Sequence, residues 1–326
     1  MSSSQSYDLI SIGEAGMDTF LKLHDVSLLC SVKKDACLLC LNYADKIPVE
    51  EFHESLGHNA CNVAVGSARL GLRSALYTTV GDDDTAEKII TQLKKEGVST
   101  EYIRKQKGSR SSTSVVLNYK TERTILIYHV PRHFRLPSLA PAKWVYLTSL
   151  GKGFQVIHKE LLQKIKKNGW KLAFNPGDQQ LRAGVRALEP VLRACQLLIV
   201  NKEEVAMLLE KPVRDFKEAL HELRELGPEI VIITDGSHGS YGFDGHQAYF
   251  AKPLPSHVIE MTGAGDSFST GVLSALSAGK KLDVALLWGA ANAASVIEKI
   301  GPQSGLLTRS KLLARLKQAK AKIRII

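Results

Sequence analysis

The chain has no long hydrophobic run. Across its 326 residues no apolar stretch approaches the ~18 residues of a membrane-spanning helix. The opening MSSSQSYD has neither a basic start nor an apolar core, so no secretion signal is read there. The expectation is a cytoplasmic protein with no membrane partner. Cysteine is scarce: Cys30, Cys37, Cys40, Cys61 and Cys195 are the full set. An odd count at scattered spacing argues against a disulfide framework. Cys37 and Cys40 make a CxxC, but no second pair follows at zinc-finger spacing. ACLLCLNY reads as a strand, where positions three apart face opposite sides, so reduced thiols are expected. Internal repeats and low-complexity segments are missing too.

Acid is in deficit, with 33 Asp and Glu against 43 Lys and Arg, a net charge of +10. That balance suits an anionic ligand, but much of it is local. Seven Lys or Arg and no acid fall between Arg309 and Arg324. SKLLARLKQAKAKI reads as a solvated basic surface helix over 309–326, and a nucleic-acid partner is not expected. Several catalytic signatures are absent. No GxxxxGK[ST] phosphate loop, HRDxxxxN kinase loop or GxSxG elbow occurs. His53-Glu54 and His58 are spaced one residue too far apart for HExxH. Asp82, Asp83 and Asp84 follow a strand and precede a helix, which reads as capping.

What is present is an alternation of strands and helices. DLISIG (8–13), SALYTTVG (74–81), WVYLTSLG (144–151), KLAFNPG (171–177), LLIVN (197–201) and IVIITDG (230–236) read as strands apolar on both faces. Helical periodicity fills the gaps, as in NACNVAVGSARLG, DTAEKIITQLKKEG, FQVIHKELLQKIKKNG and FKEALHELRELG. This pattern predicts a three-layer α/β/α sandwich on a mostly parallel sheet, with ligands at the carboxyl ends of the strands. Two segments, about 15–56 and 111–135, break it and read as antiparallel hairpins. Inserted into an α/β core, they could assemble one small β-sheet lid over those strand ends.

The stretch EMTGAGDSFSTG, Glu260 to Gly271, sets a bare turn and an acid at the mouth of a helix. Unpaired N–H groups at a helix start attract an anion, and glycines let it approach closely. Asp266 would sit beside that anion, where it either removes a proton from an attacking hydroxyl or merely caps the helix.

TGAGDSFSTGVLSAL resembles the C-terminal motif of the ribokinase (pfkB) carbohydrate kinase family. GHNACNVAVGSARLG (57–71) is similar to that family's N-terminal Gly-Gly…Asn motif, Asn201-Lys202-Glu203-Glu204 to its NxxE, and ITDGSHGSYGF (233–243) to its nucleotide-side loop. The motifs stand in family order over roughly residues 7–308.

The resemblance implies an ATP-dependent kinase acting on a hydroxymethyl group of a sugar or sugar-like molecule. It implies Asp266 as the base and Gly263, Ala264 and Gly265 as the anion hole. Asn201 and Glu204 would arrange Mg²⁺ through waters. Thr234, Gly236 and Gly239 would line the nucleotide loop, with Asn201 and Asn292 also on the nucleotide side. Asp18 matches the acid that grips two substrate hydroxyls, and Gly57 and Asn62 match substrate-side positions, with Gly57 also a hinge for lid closure. Arg123 and Arg132 read as solvated surface arginines. Two departures stand out. His58 occupies the usual second glycine and adds a side chain beside the substrate. Glu260-Met261-Thr262 replaces the usual Asp-Thr-Thr, leaving Glu260 as the candidate acid of a K⁺ site. A nucleoside kinase and a non-catalytic kinase-like binding protein are the alternatives. An exposed lid face could pair two copies in a homodimer.

Overall fold

A computed structural model of the chain describes residues 6–24, 26–31, 37–120 and 122–326. The opening MSSSQ, Asp25 within the MDTFLKLHDV segment and Thr121 within the expected Lys120–Arg123 turn lie outside the described residues.

Strand β1 (Tyr7–Ile12) starts the main sheet, and the chain then leaves it for β2 (Gly16–Leu23), β3 (Ser27–Cys30), β4 (Cys37–Cys40) and β5 (Val49–Gly57). Helix α1 (Asn59–Arg69) leads back to β6 (Ser74–Val80), and α2 (Asp84–Lys95) to β7 (Ile103–Lys105). A second excursion, β8 (Ser112–Tyr119) and β9 (Glu122–Tyr128), precedes β10 (Ala142–Leu147). Strands and helices then alternate through α3 (Gln155–Asn168), β11 (Lys171–Phe174), α4 (Asp178–Arg182), α5 (Val185–Ala194), β12 (Leu197–Asn201), α6 (Lys202–Leu209), α7 (Phe216–Glu225) and β13 (Ile230–Thr234). The hairpin β14 (Ser240–Phe243) and β15 (Ala248–Ala251) is followed by α8 (Ala264–Ser277), α9 (Leu282–Val296), α10 (Arg309–Ala319) and β16 (Ile323–Ile325).

The main sheet is ten-stranded, in the order β16-β15-β14-β13-β12-β11-β10-β1-β6-β7. It is parallel from β13 through β7 and antiparallel at the β14–β16 edge. All six apolar runs read as strands fall in its parallel part. Successive side chains point to opposite faces. Val145 and Leu147 therefore join the layer packed on α3, α5 and α7, while Trp144 and Tyr146 join the layer packed on α8 and α9. Chain order reverses around β1, between β10 and β6, which opens a crevice at the carboxyl ends of those strands.

The two excursions meet in a separate four-stranded sheet, β5-β2-β8-β9. The β8–β9 pair is the expected hairpin. The first excursion differs from expectation: β2 pairs with β5 and with β8, and β3–β4 forms a two-stranded ribbon of its own. That ribbon corrects the reading of reduced thiols. Its register sets Cys30 opposite Cys37, and the two form a disulfide with Cα atoms 4.0 Å apart. The bridge crosses strands, a pairing that the CxxC spacing does not reveal, and it leaves Cys40 free.

The C-terminal reading is also corrected. The helix ends at Ala319, where Lys320 takes a left-handed conformation (φ 48°), and Ile323–Ile325 then pair with β15. Its basic residues are partly consumed inside the fold. Arg315 bonds both oxygens of Glu298 at 2.7 and 2.9 Å, and Arg324 lies 4.9 Å over the Phe250 ring. Among the described residues no helix is long and apolar enough to cross a membrane.

Helix α8 is seated unusually close to α9. A methyl on Gly271 would lie 2.4 Å from the Trp288 carbonyl oxygen, and one on Gly289 would lie 2.9 Å from the Phe268 ring. The first obstacle is backbone, which cannot swing away. Gly271→Ala gains up to ~1 kcal/mol of helix propensity but forces the helices apart, and overpacking of this kind costs ~1–3 kcal/mol. The collision wins, so we expect Gly271→Ala to lower the urea unfolding midpoint; an unchanged or raised midpoint would show that the helix pair has slack.

Candidate active site

The N-terminus of α8 opens at the carboxyl ends of the parallel strands. Gly263, the residue before the helix, has φ 79°, and a methyl there would lie 2.5 Å from Pro302. Only glycine makes that turn without strain. Of the expected anion-hole amides, Ala264 N–H is already bonded to Met261 O at 3.3 Å. Among the described residues no group accepts from the N–H of Gly263, Gly265 or Asp266. A methyl on Gly265 would meet nothing within 4 Å, so the space above that amide is open.

Asp266 projects from the first turn of α8 and is 9% exposed. Its Oδ2 accepts from Asn62 Nδ2 at 2.8 Å, and Asn62 Oδ1 accepts in turn from Gln303 Nε2 at 2.9 Å. Asn62 thus orients the acid from α1, and Gln303 orients Asn62. Burial pushes the Asp266 pKa up to about 6; Asp18 adds to the rise, while the Asn62 hydrogen bond and His58 oppose it.

Asp18 and His58 approach from the small sheet. Asp18 is buried, with Oδ1 bonded to the Ser114 hydroxyl. No group donates to its Oδ2 among the described residues. A methyl on Gly57 would lie 1.8 Å from that Oδ2, so Gly57 is glycine because the carboxylate occupies the side-chain position. His58 sits between two acids, with Nε2 3.6 Å from Asp18 Oδ1 and Nδ1 3.8 Å from Glu14 Oε2. Glu14 also faces His129 Nδ1 at 3.5 Å. Burial alone would raise the Glu14 pKa, but the two imidazoles outweigh it and hold the acid at about 2. Burial disfavours charge on His58, yet Glu14 and Asp18 prevail and its pKa is raised. Glu14, His129, Ser114 and Gln303 had no motif to announce them. Arg132 departs from the solvated reading: it is buried and donates to Ser109 Oγ and to Arg110 O.

Across the crevice, Asn201 ends β12 beside Thr234, which ends β13. Asn201 and Glu204 form a reciprocal cap: Asn201 Oδ1 accepts from Glu204 N at 2.8 Å, and Glu204 Oε2 accepts from Asn201 N at 2.9 Å. Glu204 Oε1 takes no hydrogen bond among the described residues. Burial pushes the Glu204 pKa up to about 7, with Glu203 and Asp266 adding to the rise. A half-buried carboxylate with one free oxygen and no basic partner fits a cation. Gly236 (φ 50°) and Gly239 (φ 114°) shape the loop after β13. Glu260 is buried, with Oε1 bonded to Thr262 N at 2.6 Å, while its Oε2 and the Thr262 hydroxyl are buried without partners among the described residues.

One expectation is corrected. Asn292 is completely buried, and both ends of its amide bond within the fold: Nδ2 donates to Ser267 O at 2.8 Å and Oδ1 accepts from Leu307 N at 3.1 Å. It ties α9 to α8 and offers no polar atom to a nucleotide.

The asymmetry at Asp266 has a consequence for stability. Its folded pKa lies above that of an unfolded aspartate, so the folded protein holds this proton more tightly. Below pH ~4 both states are protonated and the burial costs nothing. As pH rises through about 6 the fold must carry a buried charge, and stability declines. We expect Asp266→Asn to be more stable than wild type at pH 8, on the order of 2–3 kcal/mol, with the difference shrinking toward pH 4. Urea denaturation across that range checks it; equal stability at pH 8 would contradict it.

The pattern of the pfkB family carbohydrate kinase matches residues 30–309. A protein named as an uncharacterised sugar kinase, from Archaeoglobus fulgidus, is 27% identical over 250 residues, covering 74% of this chain and 98% of that one. The nucleoside kinase of Methanocaldococcus jannaschii superposes with a TM-score of 0.76 at 21% identity, over 95% of this chain and 98% of that one. The Arabidopsis thaliana ribokinase complexed with ribose and ATP superposes with a TM-score of 0.76 at 20% identity, over 96% and 99%.

Proposed function

Because the chain belongs to the pfkB family of carbohydrate kinases, we propose that it transfers the γ-phosphoryl group of ATP to a hydroxymethyl group of a sugar or sugar-like small molecule. The observation that carries this reading is Asp266: a buried acid held by Asn62, next to free backbone amides at the start of a helix. In this reading the acceptor hydroxyl lies against Asp266, which takes its proton as the oxygen attacks phosphorus in line. The developing negative charge faces the N–H groups of Gly263 and Gly265, and Ala264 contributes once it gives up its 3.3 Å bond to Met261. The amide of Asp266 itself is free to join them.

On the nucleotide side, Asn201, Thr234, Gly236 and Gly239 line the phosphate and base positions. Asn201 and Glu204 would hold the waters of Mg²⁺, which supplies positive charge beside the phosphates when bound. The unpartnered Glu260 Oε2 and Thr262 Oγ1 are donors suited to a monovalent cation such as K⁺. On the acceptor side, Asp18 takes substrate hydroxyls, Gly57 gives it room, His58 borders it and Asn62 orients the base. The small sheet over residues 15–56 and 111–135 serves as the lid, hinged near Gly57. Its outer strands expose Phe52, Leu126, Ile127 and Tyr128, an apolar surface suited to pairing two copies.

A nucleoside is the second acceptor class, and the likeness to a nucleoside kinase fold favours keeping it. A non-catalytic binding protein is the weaker reading, because it gives no reason to bury an acid without a cationic partner at that helix start.

Replacing Asp266 with Asn removes the base and keeps the shape. We expect kcat to fall ~10²–10⁴-fold while ATP binding by calorimetry persists. In the wild type, activity should decline as pH drops below about 6, where Asp266 becomes protonated. The variant is expected to be the more stable protein, and the urea denaturation above separates lost turnover from unfolding. Turnover at the wild-type rate would refute the assignment.

A further inference from the structure

His58 combines three features that no packing role explains. Its backbone, at φ 68° and ψ 150°, lies in a region that glycine occupies freely and other residues only under strain. The other described non-glycine residues with positive φ whose ψ is given, Glu210 and Lys320, sit at ordinary left-handed helix ends with ψ 29° and 41°. The side chain of His58 is 8% exposed, and its Nε2 is buried without a hydrogen-bond partner among the described residues. It also caps nothing, although it stands at the start of α1. Gly16 makes room for the ring: a methyl there would lie 2.5 Å from Nε2. A strained, buried histidine with an idle nitrogen is a cost the fold carries for something outside itself.

The surroundings say what that nitrogen can meet. Both ring nitrogens face carboxylates, Nδ1 toward Glu14 and Nε2 toward Asp18, an arrangement that favours a proton on each. At 3.6 Å, Nε2–H is too far from Asp18 Oδ1 for a hydrogen bond. That oxygen is already occupied by the Ser114 hydroxyl. An idle donor on His58 therefore stands beside an open acceptor, Asp18 Oδ2. One hydroxyl can satisfy the acceptor. The donor needs a second oxygen next to it.

We propose that His58 is a specificity-determining residue of the acceptor pocket. Its Nε2–H donates to an oxygen adjacent to the hydroxyl that Asp18 accepts, and so selects polyols or nucleosides with two vicinal oxygens over deoxygenated analogues. This rests on the kinase reading above. Glu14 is the positioning residue, its carboxylate attracting the ring from 3.8 Å on the Nδ1 side, and His129 shares that carboxylate from the end of the small sheet.

The test compares acceptors that differ by that one oxygen: D-ribose with 2-deoxy-D-ribose, and adenosine with 2′-deoxyadenosine. Phosphate transfer from ATP is followed for the wild type, His58→Gly and His58→Gln. A hydrogen bond to a charged group corresponds to a ~10–100-fold preference in kcat/KM. The wild type should show a preference of that size for the oxygenated member, mostly in KM. His58→Gly removes the donor and the backbone strain together, so it should fold at least as well while losing most of the preference. His58→Gln keeps an N–H donor and should retain more of the preference than glycine does. A wild type that uses both members equally, or a preference unchanged in His58→Gly, overturns this inference and leaves the kinase assignment standing. Absence of transfer to every acceptor, together with absence of ATP turnover, overturns the kinase reading and this inference with it.

Discussion

A carboxylate that is out of water without a direct ionic partner governs this molecule. Asp266 is 9% exposed and held by one neutral amide. In water such a group would simply ionise; here burial raises its proton affinity into the range where a proton can be taken and released near neutrality. Everything nearby serves to keep it there. The close seating of α8 on α9 at Gly271 and Gly289 fixes the helix that carries it. The Gln303–Asn62–Asp266 chain fixes its rotamer from two other parts of the sequence. The left-handed turn at Gly263 leaves amides free beside it.

The charge distribution follows the same logic on a larger scale. Glu14, Asp18, Glu204 and Asp266 gather at one end of the main sheet. Only Glu14 and Asp18 have imidazoles against them. Neither Glu204 nor Asp266 has an imidazole in direct contact; burial raises them to about 7 and about 6, and Asp266 adds to the rise at Glu204. The site is therefore electrostatically unfinished on the α6–α8 side and balanced on the small-sheet side. A positively charged ion at the phosphates would complete the first, and a neutral hydroxylated molecule matches the second. That division fits transfer from an anionic nucleotide to an uncharged acceptor.

The sequence disclosed the main sheet well, because its strands are apolar on both faces and end at helix caps. IVIIT and LLIVN could hardly be anything else. It disclosed Asp266, Glu204 and Asp18 through spacing shared with a known family. It did not disclose residues whose role depends on distant partners. Gln303 reaches Asn62 across 241 positions, and nothing local marks it. Asn292 looked like a ligand contact, whereas its amide is consumed by two backbone groups. Ile323–Ile325 continued a basic helical pattern, yet an open sheet edge at β15 captured them as a strand. The Cys30–Cys37 bridge escaped because strand register, and not CxxC spacing, decides which thiols meet. His58 was visible as a departure from a glycine; its strained backbone and idle nitrogen were not.

The central claim is that burial is the main force tuning Asp266, and its own titration tests that most directly. The carbon-13 shift of the carboxyl carbon in aspartate-labelled protein, assigned by the signal missing from an Asp266 variant, reports the pKa of this one side chain. The account requires a midpoint near 6. A midpoint near 4, that of an ordinary solvated aspartate, would mean that the carboxylate is wet or paired, and the reading built on it would not stand.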